Sequence, residues 1–570
     1  MLKKYITLWL LTFAGFGLNA QCPPGDVILS FQAEVDAFAA DYPDCTEITG
    51  SMLIGSLSDP TDITDITDIS GLSNLTSIGG NLDLLDNDSI SSLAGLELLV
   101  SIDGDLNIKS NAILTSLSGF NQLTSINGVF SIIGNTHLMS LAGLEQLTFI
   151  GGDLLISGNP DLTNLTGFDQ LNSIHGDLEI WGNNGISSLT GVEQLTSIGG
   201  DLDIRLNGAL TSLTGLGELT SIGGFLSISG NNSLTSLTGV EQLTSIGGNL
   251  FIRFNDVLTS LTGLESLTSI GENLFIHDNA SLTSLTGSGQ LSSISGGLFT
   301  RFNDALMSLT GLESLTSIGG NLFIHDNASL TSLAGLGQLS SISGDLEIYD
   351  NGSLTSLAGL EQLSSISGGL EISGNPNLTS LTGLIQLTLI GGDLYIRFNS
   401  VLTSLTELEQ LTSIGGFLVI SGNTELMSLA GLKNLDATTI DNLFMSSNDQ
   451  LSSCAIESIC NYLSLETNSA NISGNATGCA TREEVETACM VSATDISPTN
   501  IELFPNPTNG MLQLRNITAK EVVVYTAQGQ RIARYDDPGQ ELDLSALPAG
   551  VYHLHLVTTE AVHAARVVKQ

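Results

Sequence analysis

"LTSIGGFLSISGNNSLTSLTGV", residues 219–240, spreads seven large aliphatic residues along its length: Leu219, Ile222, Leu226, Ile228, Leu234, Leu237 and Val240. A unit this short cannot bury all seven. The pattern recurs, however, and the recurrence is marked by asparagine. Asn87, Asn111, Asn135, Asn159, Asn183, Asn207, Asn231, Asn255, Asn279, Asn303, Asn327, Asn351, Asn375, Asn399 and Asn423 follow one another at intervals of 24 residues, and Asn448 comes after 25. Stacking such units turns isolated apolar positions into continuous buried columns, so a fixed period of this length predicts a solenoid. Leu226-Ser227-Ile228 alternates as a short strand does. Gly223-Gly224 is expected at a corner with positive φ. The asparagine amide is expected to satisfy backbone groups of its own and neighbouring rungs, as a ladder. At about 4.8 Å per rung, fifteen rungs predict a rod on the order of 70 Å long.

The turn L-T-S-I-G-G-x-L-x-I-x-x-N-x-x-L-T-S-L-x-G-L resembles leucine-rich repeats, and in its fuller form the repeat of receptor L domains, over roughly residues 45–451. The resemblance implies a right-handed parallel β-solenoid used for binding rather than catalysis. The rungs here are more numerous and more uniform than in receptor L domains. The expected fold is mainly all-β: a β-solenoid over 69–451, an N-terminal cap and lead-in over 21–68, a cysteine-containing cap over 452–490, and a small C-terminal β-sandwich over 491–570.

An open solenoid end exposes strand edges, so caps are needed. Phe31, Val35 and Phe38 have helical spacing, with Ser30 as the expected N-cap. Ile456, Ile459 and Leu463 predict a second helix, and Thr481-Arg482-Glu483-Glu484 a capping box that opens a third. Six cysteines fall only at these two ends: Cys22 and Cys45, then Cys454, Cys460, Cys479 and Cys489. In an exported chain they read as disulfides. Cys22–Cys45 is one bridge; the other four allow three pairings. No CxxC pair or nearby histidine favours zinc, and no metal or other cofactor is expected. Thr-Asp-Ile occurs three times over 61–69. It reads as a slipped loop insertion, with calcium on Asp62, Asp65 and Asp68 as the alternative.

Residues 1–20, with Lys3 and Lys4 before an apolar run and Ala20 at the end, read as a secretory signal. No later run has spanning length, so no transmembrane segment is expected in the mature chain. With 15 Lys and Arg against 59 Asp and Glu, the net charge is −44. Such a surface repels nucleic acid and anionic lipid. The last segment departs from this: 491–570 holds six of the basic residues against eight acids. It contains F-P-N-P-T-N-G (504–510), V-V-V-Y followed by Gln528-Gly529, L-P-A-G-V-Y (547–552) and a basic end, Arg566-Val567-Val568-Lys569. This ordered set resembles the C-terminal sorting domain of type IX secretion substrates of Bacteroidota. The resemblance implies contact with that secretion machinery, passage through the outer membrane, and a cell-surface or extracellular destination.

Cations are rare in the repeats, and their placement is not random. Of six basic residues within 69–451, five stand two positions before a ladder asparagine: Lys109, Arg205, Arg253, Arg301 and Arg397. Trp181, His277, His325 and Tyr349 share that column. Two residues earlier lie Phe251, Phe275, Phe299, Phe323 and Tyr395. Phe254, Phe302 and Phe398 directly follow arginines. These positions predict an aromatic and cationic stripe on one face of an acidic rod, of the composition that anchors ligands. Residues 259–282 and 307–330 are nearly identical, so copying of a 48-residue unit explains part of the alternation. It does not explain Lys109, Trp181, Arg205 or Arg397. Stacked aromatics can also simply stabilise a parallel sheet.

The sequence therefore points to an exported, non-catalytic recognition or adhesion protein that binds a glycan or a surface protein along the solenoid. A polysaccharide-active β-solenoid enzyme is the first rival. Its chemistry needs a unique constellation such as paired carboxylates, and neither H-E-x-x-H nor G-x-S-x-G occurs. Ice binding is the second, because Thr211, Thr235 and Thr259 recur in columns. Calcium-binding nonapeptides are disfavoured, because Leu250 stands where their third glycine belongs. If the stripe takes an acidic ligand, binding should weaken with salt and strengthen below about pH 6.5 as histidines protonate.

Overall fold

A computed structural model describes residues 21–56, 64–492, 502–515, 517, 519–526, 531–558 and 562–570. The signal segment 1–20, Asp62 and Gln528-Gly529 lie outside the described residues.

Each repeat contributes two strands. Around Asn231 these are Ser221–Ile222 and Leu226–Ser229. The longer ones join a 19-stranded sheet and the two-residue ones a second sheet of 15. Neighbours are parallel, in a register that reproduces the sequence period: Leu226 pairs with Leu250, Ser227 with Phe251, Ile228 with Ile252 and Ser229 with Arg253. All seven aliphatic residues of 219–240 are at most 2% exposed. Each contributes about 1.5–3 kcal/mol on burial, and none could do so without the rungs on either side.

The asparagine ladder forms as expected. The Asn255 backbone N–H donates to Asn279 Oδ1 at 3.2 Å, and its Nδ2 donates to the carbonyls of Ile228 (2.9 Å) and Arg253 (3.0 Å) and to Asn279 Oδ1 (3.3 Å). The ladder also outruns the period. Asn448 donates to Asn475 Oδ1, 27 residues on, and the Thr64 hydroxyl meets Asn87 Oδ1 at the other end.

The corner glycines differ from expectation. Neither Gly223 nor Gly224 has a left-handed φ. A Cβ on Gly223 would stand 2.1 Å from the Gly199 carbonyl oxygen, and one on Gly224 1.9 Å from Asp201 Oδ1. The glycines are required by close approach between rungs. Left-handed φ is found instead at Gly239 (117°) and at the residue before every ladder asparagine. The variable position after Gly-Gly, in turn, carries a second ladder. Asp105 N–H donates to Asn81 Oδ1, Phe225 N–H to Asp201 Oδ1, Gly297 N–H to Asn273 Oδ1 and Gly369 N–H to Asp345 Oδ1, all within 2.8 Å. The acceptor belongs to the preceding rung, so phenylalanine or glycine can occupy the donating rung.

At the N-terminal end, strand Val27–Leu29 pairs with Met52–Ile54. Helix α1 (Gln32–Asp41) buries Val35 and Phe38. Its N-cap is Phe31, which is exposed, rather than Ser30; the Glu34 carboxylate accepts from the N–H groups of both. Asp65 accepts from Gln32 N–H and the Asp68 carbonyl from Gln32 Nε2, which fastens the lead-in to the cap, while the Asp68 carboxylate accepts locally from Ser70 N–H. At the C-terminal end, strand Ala470–Ser473 extends the long sheet by one rung past residue 451. Helices α2 (Glu457–Leu463) and α3 (Arg482–Ser492) close it. Thr481 Oγ1 caps Glu484 N–H, but the Glu484 carboxylate accepts from Gly478 and Ala480, so only half of the expected box forms. The bridges are Cys22–Cys45, Cys454–Cys479 and Cys460–Cys489.

The C-terminal segment has its own core of Leu512, Leu514, Val522, Val524, Leu542, Leu554 and Leu556, between sheets of three and four antiparallel strands. Its F-P-N-P-T-N-G stretch does more than turn the chain. Asn506 accepts from Val568 N–H and donates to the Arg566 carbonyl, and Thr508 N–H donates to the Val568 carbonyl, which pins the basic final strand.

Candidate functional site

On a strand L-x-I-y the leucine and isoleucine point inward, and x and y are free to vary. Over four consecutive rungs x is Phe251, Phe275, Phe299 and Phe323, and y is Arg253, His277, Arg301 and His325. Together with Tyr349 these residues line a depression of about 430 Å³ on the long sheet. Phe251 stacks on Phe275 (centroids 5.0 Å apart, planes 6° apart) and Phe275 on Phe299 (4.7 Å, 14°); Phe323 closes the row edge-on. His325 stacks on Tyr349 at 4.4 Å. Parallel pairing in register puts identical residues one above another, which is why the rings stack.

The other stripe residues stand apart. Trp181 lies under the Arg205 guanidinium, 5.3 Å from its ring centroid. Tyr395 lies under Arg397 at 4.8 Å. Lys109 sits between Leu85 and Ile133 in register, with no aromatic beside it in its column.

The arginines divide into two kinds. Arg205 pairs with Asp203 at 3.3 Å and Glu179 at 3.9 Å, and Arg397 pairs with Glu371. Burial, and then Asp203, push the Glu179 carboxyl up, against the pull of Arg205. Arg253 and Arg301, in the central depression, have no carboxylate within 4 Å among the described residues; Arg253 Nε, like Arg397 Nε, is buried without a hydrogen-bond partner. Acid lies just beyond them on the C-terminal side, where Asp345, Glu347, Glu371 and Asp393 line a neighbouring depression. Burial, then Glu371 and Asp345, raise the Glu347 carboxyl. Among the stripe arginines the unpaired ones are thus confined to the central rungs; Lys109, far toward the N-terminal end, is the other stripe cation with no carboxylate within 4 Å among the described residues.

The histidines are less available than the arginines. His277 is only 9% exposed, and its Nδ1 lies 2.7 Å from Asp278 Oδ2; His325 stands likewise 2.9 Å from Asp326. Burial pushes the His277 pKa below its ordinary 6.5, and Arg301 and Arg253 add to this against Asp278. The expected gain of charge near pH 6.5 therefore moves to lower pH for His277.

Sequence reasoning noticed that phenylalanines follow arginines but did not place them in the site. Sixteen residues precede a ladder asparagine, and all sixteen have left-handed φ. Twelve are Gly, Asp or Ser. The other four are Leu206, Phe254, Phe302 and Phe398, with φ of 52–56°, each directly after a stripe arginine. A bulky residue there costs on the order of 1 kcal/mol or more. Burial does not offset it, since these four are 44–62% exposed. The signal was in the sequence as a Gly/Asp/Ser column interrupted only beside arginine.

A larger depression of about 720 Å³ lies between 433–440 and α2 at the C-terminal cap. Its lysine, Lys433, is already paired with Glu409 at 3.8 Å. No group of three His, Cys, Asp or Glu residues placed to hold a metal occurs among the described residues.

Residues 207–346 match the BspA type leucine-rich repeat region in six copies, and residues 502–570 match the secretion system C-terminal sorting domain. The chain is a leucine-rich-repeat-like solenoid with a type IX sorting domain, a domain that marks proteins exported to the cell surface or the exterior. No curated protein matches it. Among solved structures, a TLR13–ssRNA13 complex matches at 14% identity over 79% of this chain and 77% of that one, with a TM-score of 0.19, an overlap too small to bear on fold or ligand. Among the described residues no helix is long and apolar enough to cross a membrane.

Proposed function

We propose that this exported repeat protein is a non-catalytic recognition or adhesion protein that binds an anionic ligand, an acidic glycan or an acidic surface protein, along the central rungs of its long sheet. One observation carries this reading. In a chain of net charge −44, Arg253 and Arg301 are held beside stacked phenylalanines without a carboxylate partner, whereas Arg205 and Arg397 are neutralised. An unpaired guanidinium is a bidentate receptor for carboxylate or sulfate, and the surrounding acid repels anions elsewhere on the rod. The repetition itself speaks against catalysis, because each stripe group recurs from rung to rung where an enzyme needs a unique arrangement. Ice binding is disfavoured by the threonines: Thr259 Oγ1 donates to the Thr235 carbonyl, and Thr220 Oγ1 to that of Thr196, so these hydroxyls serve the rungs.

The test is binding of residues 21–492 to immobilised anionic and neutral glycans and to acidic polypeptides. Affinity should fall with added salt and should be lost in the Arg253→Ser, Arg301→Ser double variant once circular dichroism confirms its fold. Equal binding by wild type and variant would remove the central arginines from the function.

A further inference from the structure

Resting on that reading, we infer that Phe254 and Phe302 are ligand-stacking residues, and that the site is built for a linear polysaccharide carrying one anionic group on every second sugar. Three observations converge. The first is conformational: both rings occupy left-handed positions that elsewhere in the array are almost always Gly, Asp or Ser, and both are nearly half exposed (48% and 44%). Backbone preference disfavours a phenylalanine there, and the packing it gains is limited to the next rung's histidine and, for Phe302, the Arg301 guanidinium 5.7 Å from its ring centroid. The second is placement. Each follows an uncompensated arginine and stands edge-on to the histidine of the next rung, Phe254 to His277 at 5.5 Å and Phe302 to His325 at 6.0 Å. The stacked Phe251 row lies on one side of the arginines and Phe254 and Phe302 on the other.

The third is alternation. Reading along the rod, the left-handed column runs Phe254, Asp278, Phe302, Asp326, while the neighbouring column runs Arg253, His277, Arg301, His325. Each arginine rung offers a cation and a flat apolar ring. Each intervening rung offers a carboxylate engaged with an imidazole. Two rungs span about 9.6 Å at about 4.8 Å per rung, a length comparable with a β-linked disaccharide. An anionic group at every second sugar would meet Arg253 and then Arg301. One on every sugar would also face Asp278 and Asp326, which repel it; a neutral sugar there can donate hydroxyl or amide hydrogens to the same carboxylates. Pyranose faces would stack on Phe254 and Phe302. An acidic polypeptide strand presents no such flat faces at a two-rung period.

The probes are hyaluronan (one carboxylate per disaccharide), polygalacturonate (one per sugar) and poly-L-glutamate, each immobilised and titrated with wild type and with Phe254→Gly, Phe302→Gly. Glycine suits the left-handed backbone, and the array already uses it in this column, so the double variant should melt at or above the wild-type temperature. Wild type should prefer hyaluronan, and the glycine variant should lose about tenfold or more of that affinity. Phe254→Trp, Phe302→Trp should retain it. Wild-type binding to hyaluronan unchanged in the glycine variant would overturn the inference and leave the arginine-based reading standing. Tighter binding of polygalacturonate would overturn the alternation, and preference for poly-L-glutamate would assign the site to protein strands. Failure to bind any polyanion would defeat the proposed function itself.

Discussion

The two faces of a single strand, Leu250–Arg253, obey different rules. Leu250 and Ile252 face inward, where neighbouring rungs impose the same shape on each copy, and the column barely changes over the whole array. Phe251 and Arg253 face outward, where nothing in the packing dictates identity. The outward columns accordingly change along the rod, from the ion-paired Glu179–Asp203–Arg205 rungs, through the aromatic rungs with free arginines, to the acidic rungs of Glu347 and Glu371. Inside, uniformity reports on stability. Outside, the columns are free to depart from uniformity.

Substitutions on the two faces should differ most at the core. Ile252→Ala leaves a cavity that rigid neighbouring rungs cannot fill, at a cost of about 2–5 kcal/mol by denaturant titration. A cost as small as that of an outward change would mean that the columns are loosely packed. Next comes Asn255→Ala, which removes the three hydrogen bonds donated by Nδ2 and the one that Oδ1 accepts from Asn231 N–H, and leaves the Ile228 and Arg253 carbonyls without the amide. It should cost roughly 1–3 kcal/mol. Because coupling is between nearest neighbours, faster hydrogen exchange should start in the adjoining rungs; uniform acceleration along the rod would contradict this.

On the outward face the effects become electrostatic. His277 should titrate below 6.5, and Arg253→Ser, Arg301→Ser should bring its midpoint upward, since both arginines disfavour the imidazolium. NMR of the ring protons reads this directly; an unmoved midpoint would show that the arginines do not sense the histidine. The linkage has a definite sign. The folded state prefers neutral His277, so its contribution is complete above about pH 6.5 and is lost as pH falls through that value toward the lower folded pKa. The smallest effect belongs to Ser229→Ala, an outward change in the Arg253 column that should stay within about 0.5 kcal/mol. A loss rivalling that of Asn255→Ala would invert the assignment of inside and outside.

Much of this was written in the one-dimensional pattern. A period of 24 with seven apolar positions admits only stacked units, so the solenoid, its core, its asparagine ladder and the stripe columns could be read without coordinates. The ordered motifs of 504–569 likewise identified the sorting domain. What remained hidden depended on contacts between rungs or across the caps. The Asp/Asn ladder looked variable because its donors are backbone N–H groups that any residue supplies. Asn475 escaped because the cap lengthens the last interval. The pairing of Cys454 with Cys479 and of Cys460 with Cys489 required the positions of α2 and α3. Above all, sequence placed Arg205, Arg253, Arg301 and Arg397 in one column as equals. Only the neighbouring side chains separate two neutralised arginines from two that are free, because whether a charge is available is decided by what lies within a few ångströms of it in space, and the period does not encode that.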